Sequence, residues 1–529
     1  MTRRDFLRTS AAAGLAVGAL PLAAGCGAGS AAGPTTLFTN GTIYVDAATS
    51  VRNLLVRDGT VLGTEVDPAD WPEPKTGRDV VVGLEEIART HPGAKALLGF
   101  GLNPLDYDAW SLDDLAAIDA FAPDRVALVF DRLGHNCVVN TFAMQKYRIA
   151  EKPVPYGGTV VKQDGRPTGM FREAAMSLVA TDALAEFDDA SVKAGTAFLA
   201  ARWAKRGYTA LVDLMGGTGL RLMRPHVFRE LEQEGKLPLR VFYCYTVLGL
   251  ADMEEAARYL GQDTDRVRFV GGKLFVDGAF AGGQAWTSWP HLSPAGSHGV
   301  PQITTDDAHG PELNVNRIVA RAEQLGLNMH YHTQGDLAIK AVLDALDRVL
   351  DATGALKGVH TLIHLAYPTD ALIDHIHAVN ARAGGLHVVT TTQPGFWNVE
   401  GDTVQYYGDR ALDAYPLKKL VDSGLSVGIS TDYSVSPDEY TPPTRIMQVA
   451  ATGGQYADHH PAVAVQDVVH GLTVGSARTT GWRDVGMLRV GYKADMVVYE
   501  KDLYLVPPQE LTQTYPAVRS TWVGGVKVG

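Results

Sequence analysis

Lys273, His332, His364 and Asp432 are side chains that could bind a metal or move a proton, and each stands at or near the end of an apolar stretch. Neutral imidazoles and carboxylates are ligands of zinc and similar ions. A lysine ammonium is not a ligand, but a lysine that CO2 has converted to a carbamate offers oxygen atoms. If the apolar stretches are strands that meet at one edge, these four side chains converge on a site for metal-assisted hydrolysis.

Other residues near these positions are candidate contacts for a substrate. His330 precedes His332 by two positions, so on a strand both side chains face the same side. His330 therefore either lines the pocket or is a core histidine with satisfied hydrogen bonds. Trp286 and Phe396 follow two of the apolar stretches and could form apolar pocket walls, or they could be packing residues.

The middle of the chain alternates apolar strands with amphipathic helices, which is the pattern of repeated βαβ units. The strand candidates are Tyr208–Asp213, Leu239–Tyr245, Val267–Asp277, Leu327–Thr333, Val359–His364, His387–Gln393 and Leu425–Asp432. This alternation predicts an α/β fold, a (β/α)8 TIM-like barrel over residues 75–483, with its chemistry at the carboxyl ends of the strands. Residues from about 84 to 200 fit the repeat poorly and are predicted to form an inserted subdomain.

Short strands are also predicted near both ends of the chain. Leu37–Val45 and Val51–Leu62 contain Asn-Gly and Asp-Gly pairs, which are hairpin signals. The carboxyl-terminal segment Val518–Val528 has the same character. Residues 37–66 and 484–529 are therefore predicted to build one small composite β-sandwich.

Taken together, these residues resemble the amidohydrolase superfamily, in particular the branch of the N-substituted formamide deformylases. The motifs that carry the resemblance are, in chain order, Leu37–Tyr44, Pro167–Glu173, Lys273–Gly278, His332 with Gly335–Asp336, Ile363–His364, Asp432 and Val490–Val498. The resemblance implies a barrel with a β-sandwich, and a metal-activated water that cleaves carbon–nitrogen bonds other than peptide bonds in a small-molecule substrate.

The resemblance also assigns roles to the four side chains at the strand ends. It implies that Lys273, His332 and His364 hold zinc or another divalent metal, with Lys273 as a carbamate. It implies that Asp432 is the proton shuttle between the attacking water and the leaving amine.

Three further residues are predicted substrate contacts. Gly134-His135 and Val139-Asn140 match a motif of the inserted subdomain that faces the pocket in this branch, which predicts substrate contact for His135 and Asn140. Asp277 belongs to the motif that begins at Lys273 and is predicted to line the same pocket.

One part of the family pattern is missing from the sequence. The family's first barrel strand carries a His-x-His pair that supplies two ligands to the more buried metal, but the first histidine here is His91, and it has no partner two residues away. A segment between Gly63 and Arg78 is therefore predicted to be deleted, or lost through an error in the gene sequence. The site is predicted to hold one ion rather than two, with barrel strand one lacking or replaced by Val80–Val82.

The missing pair leaves two classes of function open. The first is a metal-dependent hydrolase that acts on amides or N-substituted formamides. The second is a catalytically impaired relative, an exported lipoprotein that binds a small ligand. The formal net charge of −12 disfavours a nucleic-acid partner, because phosphate binding needs a basic surface.

The amino terminus has the features of an export signal. The run from Arg3 to Arg8 precedes an apolar stretch, Ala11–Ala24, which resembles a signal for the twin-arginine route. Leu22–Cys26 resembles a lipobox, so residues 1–26 are predicted to direct export and lipidation of Cys26. Residues 27–36 are small and polar and are predicted to be a tether. The mature protein is then expected to be anchored to the outer face of the plasma membrane, or to be periplasmic.

Overall fold

A computed structural model describes most of the chain from residue 110 onward, with gaps at 132, 187–188, 215–223, 399–402, 434 and 437. Before residue 110 it describes short strands between 35 and 63, parts of 81–89, and 96–102. The predicted signal, the lipobox and Cys26 lie outside the described residues. Among the helices that are described, none has the length and apolar character needed to cross a membrane.

The first sheet has eight strands and joins the amino-terminal strands to the predicted subdomain. Their order across the sheet is β5-β4-β1-β6-β7-β8-β10-β9. The bounds are β1 Thr35–Phe38, β4 Leu54–Arg57, β5 Thr60–Gly63, β6 Ala96–Leu102, β7 Val126–Asp131, β8 Asn136–Val139, β9 Thr159–Gln163 and β10 Arg166–Arg172, while β2 Ile43–Tyr44 and β3 Ser50–Val51 form a separate pair. Helices α1 Leu112–Phe121, α2 Thr141–Lys146 and α3 Ala180–Leu184 belong to this part of the chain.

The second sheet is the barrel sheet, in which seven strands are all parallel and lie in sequence order. The strands are β11 Ala210–Asp213, β12 Arg240–Val247, β13 Val267–Phe275, β14 Met329–Thr333, β15 His360–His364, β16 Val388–Thr392 and β17 Val427–Ile429. Every predicted strand is therefore found, with shifts of a few residues at its ends. Among the described residues the sheet does not close between β11 and β17, so it forms a half-barrel.

Helices alternate with these strands and cover the sheet. They are α4 Asp189–Lys205, α5 Pro225–Gln233, α6 Asp252–Ala257, α7 Val315–Leu325, α8 Asp336–Thr353, α9 Asp370–Ala383, α10 Val404–Tyr407, α11 Leu417–Asp422, α12 Pro443–Thr452, α13 Val465–His470 and α14 Ser476–Thr479. Helix α7 shows why they form: Asn314 caps its amino end, and Ile318 and Ala322 on one face are buried. Because both faces of a parallel sheet are covered, every residue of β12, β14, β15 and β16 is buried, including the polar ones.

The region of the predicted deletion is only partly described. Residues 64–80 lie outside the described residues, so the deletion stays a prediction. Val81 is helical and buried, which argues against Val80–Val82 as the replacement strand. Strand β6 pairs in parallel with β1 and β7 and belongs to the first sheet rather than to the barrel sheet.

The carboxyl-terminal strands form a sheet of their own. It contains β18 Met496–Tyr499, β19 Val518–Val523 and β20 Val526–Lys527, while the amino-terminal strands belong to other sheets. The composite β-sandwich therefore stays a prediction.

A buried ion pair joins this carboxyl-terminal segment to the barrel. Arg240 of β12 is fully buried, and its guanidinium donates to Asp495 at 2.6 Å from Nε and 2.9 Å from Nη2. Asp265 accepts a further hydrogen bond from Arg240 Nη1 at 3.1 Å.

We expect Asp495→Ala to lower the free energy of unfolding by about 3 kcal/mol, because it leaves the buried Arg240 with a single, more exposed carboxylate partner. Urea unfolding of the purified protein measures this change. Asp458→Ala, at an exposed position, is the control and should shift the unfolding midpoint little. Equal midpoints for the two variants would contradict the expectation.

Candidate functional site

His332 is the central histidine of the site and is oriented by a buried carboxylate. It lies on β14, beside Ile363 of β15, and is only 3% exposed. Its Nδ1 is 3.0 Å from Oδ1 of Asp277. Burial, together with neighbouring His364 and Lys273, lowers the pKa of His332 well below 6.5, so the ring is neutral at pH 7. Since a neutral ring with its proton on Nδ1 carries a lone pair on Nε2, His332 is prepared to bind a metal.

Asp277 holds this histidine in the structure, and its predicted substrate contact stays a prediction. Its side chain is fully buried and accepts backbone N–H groups from Gly335 at 2.8 Å, and from Trp286 and Gln334 at 3.0 Å. Burial raises the pKa of Asp277 to about 7, although these hydrogen bonds stabilise the carboxylate and lower the pKa. Its two oxygens are thus occupied by the protein itself.

His364 ends strand β15 and lies against His332. The two ring centroids are 4.6 Å apart at an interplanar angle of 67°. His364 and Leu365 both have positive φ, 79° and 51°, so the chain turns sharply where the histidine enters the site. Its Nδ1 is 2.9 Å from Oε1 of Gln393. Neither His332 nor His364 makes a hydrogen bond through Nε2 to a described residue.

Lys273 lies on β13, next to the strand of His332 and two strands away from that of His364. It is 3% exposed, and its Nζ is 4.4 Å from the centroid of the Phe275 ring. Burial lowers the pKa of Lys273 to about 8, although the charge of Asp432 opposes the shift. The neutral amine is the form that reacts with CO2, and the lowered pKa makes more of this form available near neutral pH.

Asp432 follows β17 and completes the group of four. Its φ is 49°, and its carbonyl accepts the N–H groups of Val435 and Ser436, which tightens the turn after the strand. Burial raises the pKa of its carboxyl, while the nearby Lys273 and His135 lower it. The structure therefore brings together Lys273, His332, His364 and Asp432, as the sequence predicts.

His135 comes from the inserted subdomain and reaches the same group. Its ring centroid is 4.9 Å from that of His332, and its Nδ1 is 2.8 Å from Oε2 of Glu173. Burial opposes protonation of His135, but Glu173 and Asp131 raise its pKa above 6.5. Glu173 also accepts the N–H of Ala279 at 3.0 Å, so it ties the subdomain to the loop after β13.

Asn140, in contrast, makes its hydrogen bonds to the backbone of the inserted subdomain, and its predicted substrate contact stays a prediction. It is fully buried and caps α2, where its Oδ1 accepts N–H groups from Ala127 and Ala143 at 3.1 Å. Its Nδ2 donates to the carbonyls of Ala122 and Arg125 at 2.8 Å. The backbone therefore uses all four hydrogen bonds of this amide.

The remaining three candidates lie around the histidines. His330 is buried, and its Nε2 has no hydrogen-bond partner among the described residues. Burial and the charge of Lys273 lower the pKa of His330 to about 3. Phe396 is buried and stacks on His364, with the two ring centroids 6.3 Å apart. It therefore forms an apolar side of the site. Trp286 is partly buried. Its backbone lies so close to Gly335 that any side chain at position 335 would clash with it.

Two residues of the site were missed by sequence reasoning. Glu173 holds His135, and Gln393 holds His364. Gln393 is the last residue of the predicted strand His387–Gln393, so a polar residue at the carboxyl end of that strand was the available signal. Glu173 lies within a family motif, but nothing in the sequence pairs it with His135.

A separate cavity of about 470 Å³ opens on another part of the surface. Its lining includes Trp397, Asp413, Lys419, His459 and His460. None of the predicted site residues belongs to this lining. The group around His332 is therefore the better candidate for chemistry, because it brings oriented and titratable side chains together.

The side chains of the site fit a metal that is bound by a lysine as well as by histidines. Within the described part of the chain, His, Cys, Asp and Glu alone form no group of three that could hold a metal. His332 and His364 supply two neutral imidazoles, each with Nδ1 held by a side-chain acceptor, which is the usual outer support of metal-binding histidines. The third protein ligand would be Lys273, in its carbamate form.

A parallel sheet with these residues at the carboxyl ends of its strands defines a hydrolase of the TIM-like barrel class. The model of the amidohydrolase family matches residues 61–528, and the chain belongs to this family. The predicted α/β fold of the TIM-like barrel type and the predicted enzyme class are thereby confirmed, while the β-sandwich stays a prediction.

Known proteins of similar sequence and fold agree with this assignment. YtcJ of Bacillus subtilis (strain 168), a protein named as an amidohydrolase, is 24% identical over 453 residues, covering 82% of this chain and 80% of YtcJ. N-substituted formamide deformylase of Arthrobacter pascens is 23% identical over 430 residues, covering 77% and 74%. A structure of an uncharacterized metal-dependent hydrolase from Pyrococcus horikoshii OT3 superposes with a TM-score of 0.61 at 19% identity, covering 90% of this chain and 99% of that one.

Proposed function

We propose that the protein is a metal-dependent hydrolase that cleaves the carbon–nitrogen bond of amides or N-substituted formamides. The observation that carries the proposal is the pair of neutral imidazoles, His332 and His364, whose Nδ1 atoms are held at 3.0 Å and 2.9 Å by Asp277 and Gln393. The similarity to the formamide deformylase of Arthrobacter pascens supports the substrate class.

Lys273, His332 and His364 would hold one zinc ion or another divalent metal, with Lys273 as a carbamate. When bound, the metal lowers the pKa of water towards about 7 and polarises the substrate carbonyl. Three protein ligands with one open position are a workable catalytic arrangement.

Asp432 moves the proton in this proposal. Its carboxylate accepts the proton that water loses as the water oxygen bonds to the carbonyl carbon. It then donates that proton to the nitrogen as the carbon–nitrogen bond breaks, so the amine leaves neutral and the acid product keeps the water oxygen. Burial raises the pKa of Asp432, which brings it closer to neutral pH and suits both steps.

The substrate pocket would be formed by His135, His330, Phe396 and Trp286. His135 and Phe396 border the two ligand histidines. The Glu173 carboxylate holds His135 from the subdomain side. The pocket thus combines apolar walls with a few polar groups, as is usual for small-molecule sites.

One observation favours a second function, that of a catalytically impaired protein that binds a small ligand. The described His, Cys, Asp and Glu residues form no metal-binding group of three, so metal retention depends on Lys273. Metal content separates the two functions, because a ligand-binding protein would hold no stoichiometric metal under any loading condition.

The test measures formate release by NMR from a secondary formamide, using protein loaded with zinc and protein treated with a chelator. We expect formate and the free amine in equal amounts from the loaded protein only. A parallel acetamide shows whether larger acyl groups are accepted. No product from either substrate, in a protein with one equivalent of bound zinc, would refute the proposed substrate class.

Asp277→Asn is expected to weaken zinc binding by about 10- to 100-fold. The asparagine amide would turn an N–H group towards the backbone donors of Gly335 and Trp286, which disturbs the acceptor of His332. Equilibrium competition with a chelator measures the affinity. Asp458→Asn, at an exposed position, is the control, and equal affinities of the two variants would contradict the role given to Asp277.

We also propose that residues 1–26 export the protein by the twin-arginine route and that Cys26 is lipidated. The motifs around Arg3 and Cys26 support this proposal. Metabolic labelling with a radioactive fatty acid should mark the wild type and not Cys26→Ser. The wild type should be exported, while the double variant Arg3→Lys/Arg4→Lys should stay in the cytoplasm. Retention of the wild type in the cytoplasm to the same extent as the variant would refute the proposal.

A further inference from the structure

We propose that Asp438, held by Arg202 and Arg206, is the positioning residue that keeps Asp432 in place for proton transfer. We call Asp438 and its two arginines the clamp. The inference rests on the proposed function, in which Asp432 moves the proton, and it names the residues that hold the turn of Asp432. None of the three clamp residues lies in the group around His332.

Asp432 lies at the edge of the barrel sheet and needs support from outside its own strand. Strand β17 has three residues, and among the described residues only β16 pairs with it. Asp432 has φ of 49°, and a residue with a side chain stays in this region only when its surroundings fix it. The N–H groups of Val435 and Ser436 donate to its carbonyl at 2.7 Å and 3.1 Å, but these bonds lie within the turn. The turn itself therefore needs an attachment to the rest of the protein.

The clamp provides this attachment at the far end of the turn. Asp438 is 8% exposed, and both of its carboxylate oxygens are paired. Arg202 Nη2 donates to Oδ1, while Arg206 donates from Nη1 to Oδ1 at 2.9 Å and from Nη2 to Oδ2 at 2.5 Å. Arg206 Nη1 also donates to Thr441 Oγ1 at 2.7 Å. Because such paired, charge-assisted hydrogen bonds fix direction as well as distance, the position of Asp438 is well defined.

The same helix also holds the near end of the turn. Tyr433 directly follows Asp432, and its ring meets that of Trp203 edge to face, with the two centroids 5.1 Å apart. The Tyr433 hydroxyl lies 3.5 Å from Arg202 Nη1. The turn that begins at Asp432 is thus attached to α4 both directly after the carboxylate and at Asp438.

The clamp spans the opening of the half-barrel. Arg202 lies on α4 and Arg206 directly follows it, just before strand β11. Strands β11 and β17 are the two edges of the barrel sheet, and no pairing joins them among the described residues. The clamp therefore gives the turn of Asp432 the support that a neighbouring strand would give in a closed sheet.

The metal ligands are independent of this support. Lys273, His332 and His364 lie on β13, β14 and β15, the middle three strands of the seven. Loss of the clamp should therefore leave zinc binding unchanged. It should slow the chemical step, because a displacement of about 1 Å in a reacting group can cost about 100-fold in rate.

The test compares two variants that each lose one buried ion pair. Asp438→Asn keeps the shape of the side chain and should lower kcat for formamide hydrolysis by up to about 100-fold, with KM and bound zinc as in the wild type. Asp495→Asn is the matched control, because Asp495 pairs with buried Arg240 at the amino end of β12, the end away from Asp432. It should lose stability but keep the wild-type kcat. Wild-type kcat in Asp438→Asn, or an equal loss in both variants, would overturn the inference.

Arg206→Met is a second variant in case Asp438→Asn does not fold. The Arg206 side chain is 14% exposed, and Arg202 keeps its carboxylate partner when it is removed. We expect a smaller loss of kcat, again at constant KM and zinc content, and wild-type kcat in the folded variant would also overturn the inference.

Amide hydrogen exchange gives a readout that does not depend on activity. The N–H groups of Val435 and Ser436 should exchange faster in Asp438→Asn and in Arg206→Met than in Asp495→Asn, as measured by mass spectrometry of the peptide that contains them. If the wild type releases no formate, the proposed function fails, but this measurement still decides whether the clamp holds the turn. Equal exchange in all three variants would show that it does not.

Discussion

Asp432→Asn is expected to lower kcat for formamide hydrolysis by about 10²- to 10⁴-fold, the usual contribution of a positioned acid–base group. The asparagine keeps the shape of the side chain but cannot accept the proton of the attacking water. It also tolerates the backbone, because asparagine adopts positive φ more readily than other residues with a side chain, and Asp432 has φ of 49°.

Asp432→Ala should lose the same activity and also some stability. Alanine at positive φ costs about 1 kcal/mol, so its free energy of unfolding should fall below that of Asp432→Asn. Comparing the two variants by kinetics and by urea unfolding separates the chemical role of the carboxylate from the backbone requirement.

The control is Asp458→Asn, which removes an exposed carboxylate. KM for the formamide should change little in Asp432→Asn, because proton transfer is made in the transition state and not in substrate binding. If the kcat of Asp432→Asn matched that of the wild type, another group would move the proton.

His332→Ala should reduce zinc affinity by more than about 100-fold. This loss is larger than the one expected when a residue that only supports a ligand, such as Asp277, is replaced. It removes one of two imidazole ligands and leaves Lys273 and His364, which is too few for a stable site. Formate release should then fall with the bound zinc, and added zinc should restore it only in part.

His375→Ala is the matched control for this experiment. His375 lies on α9, where its Nε2 is 2.6 Å from Asp347 Oδ2, away from the site. Elemental analysis of both variants after dialysis measures the bound zinc. If His332→Ala kept the zinc content of the wild type, the metal would be held by other residues, and the ligand set proposed for this site would be wrong.

Most of the barrel could be predicted because its strands and helices carry distinct patterns. A stretch such as Val267–Phe275 is mostly apolar apart from Arg268 and Lys273, since most of it is buried, and α7 repeats its apolar residues at helical spacing. The arrangement of the chain ends was harder to predict. Short strands with hairpin turns indicate pairing within a hairpin, but they do not specify which sheet the hairpin joins.

The site was predictable where position along a strand was enough. Lys273, His332, His364 and Asp432 could be named because parallel strands place their carboxyl ends together. For Asn140, the sequence motif does not show that all four hydrogen bonds of its amide go to the backbone. For Asp277, the motif does not show that its carboxylate contacts His332 and three backbone N–H groups.

The sequence by itself determined the family, the parallel sheet and the four side chains at its edge, since local pattern and order along the chain carry that information. Only the tertiary structure decided which partner holds each histidine: Asp277 for His332, Gln393 for His364 and Glu173 for His135. These partners lie 55, 29 and 38 residues away from their histidines. No local pattern encodes such pairs, because the match depends on burial and hydrogen-bond geometry that exist only once the strands and the inserted subdomain have packed.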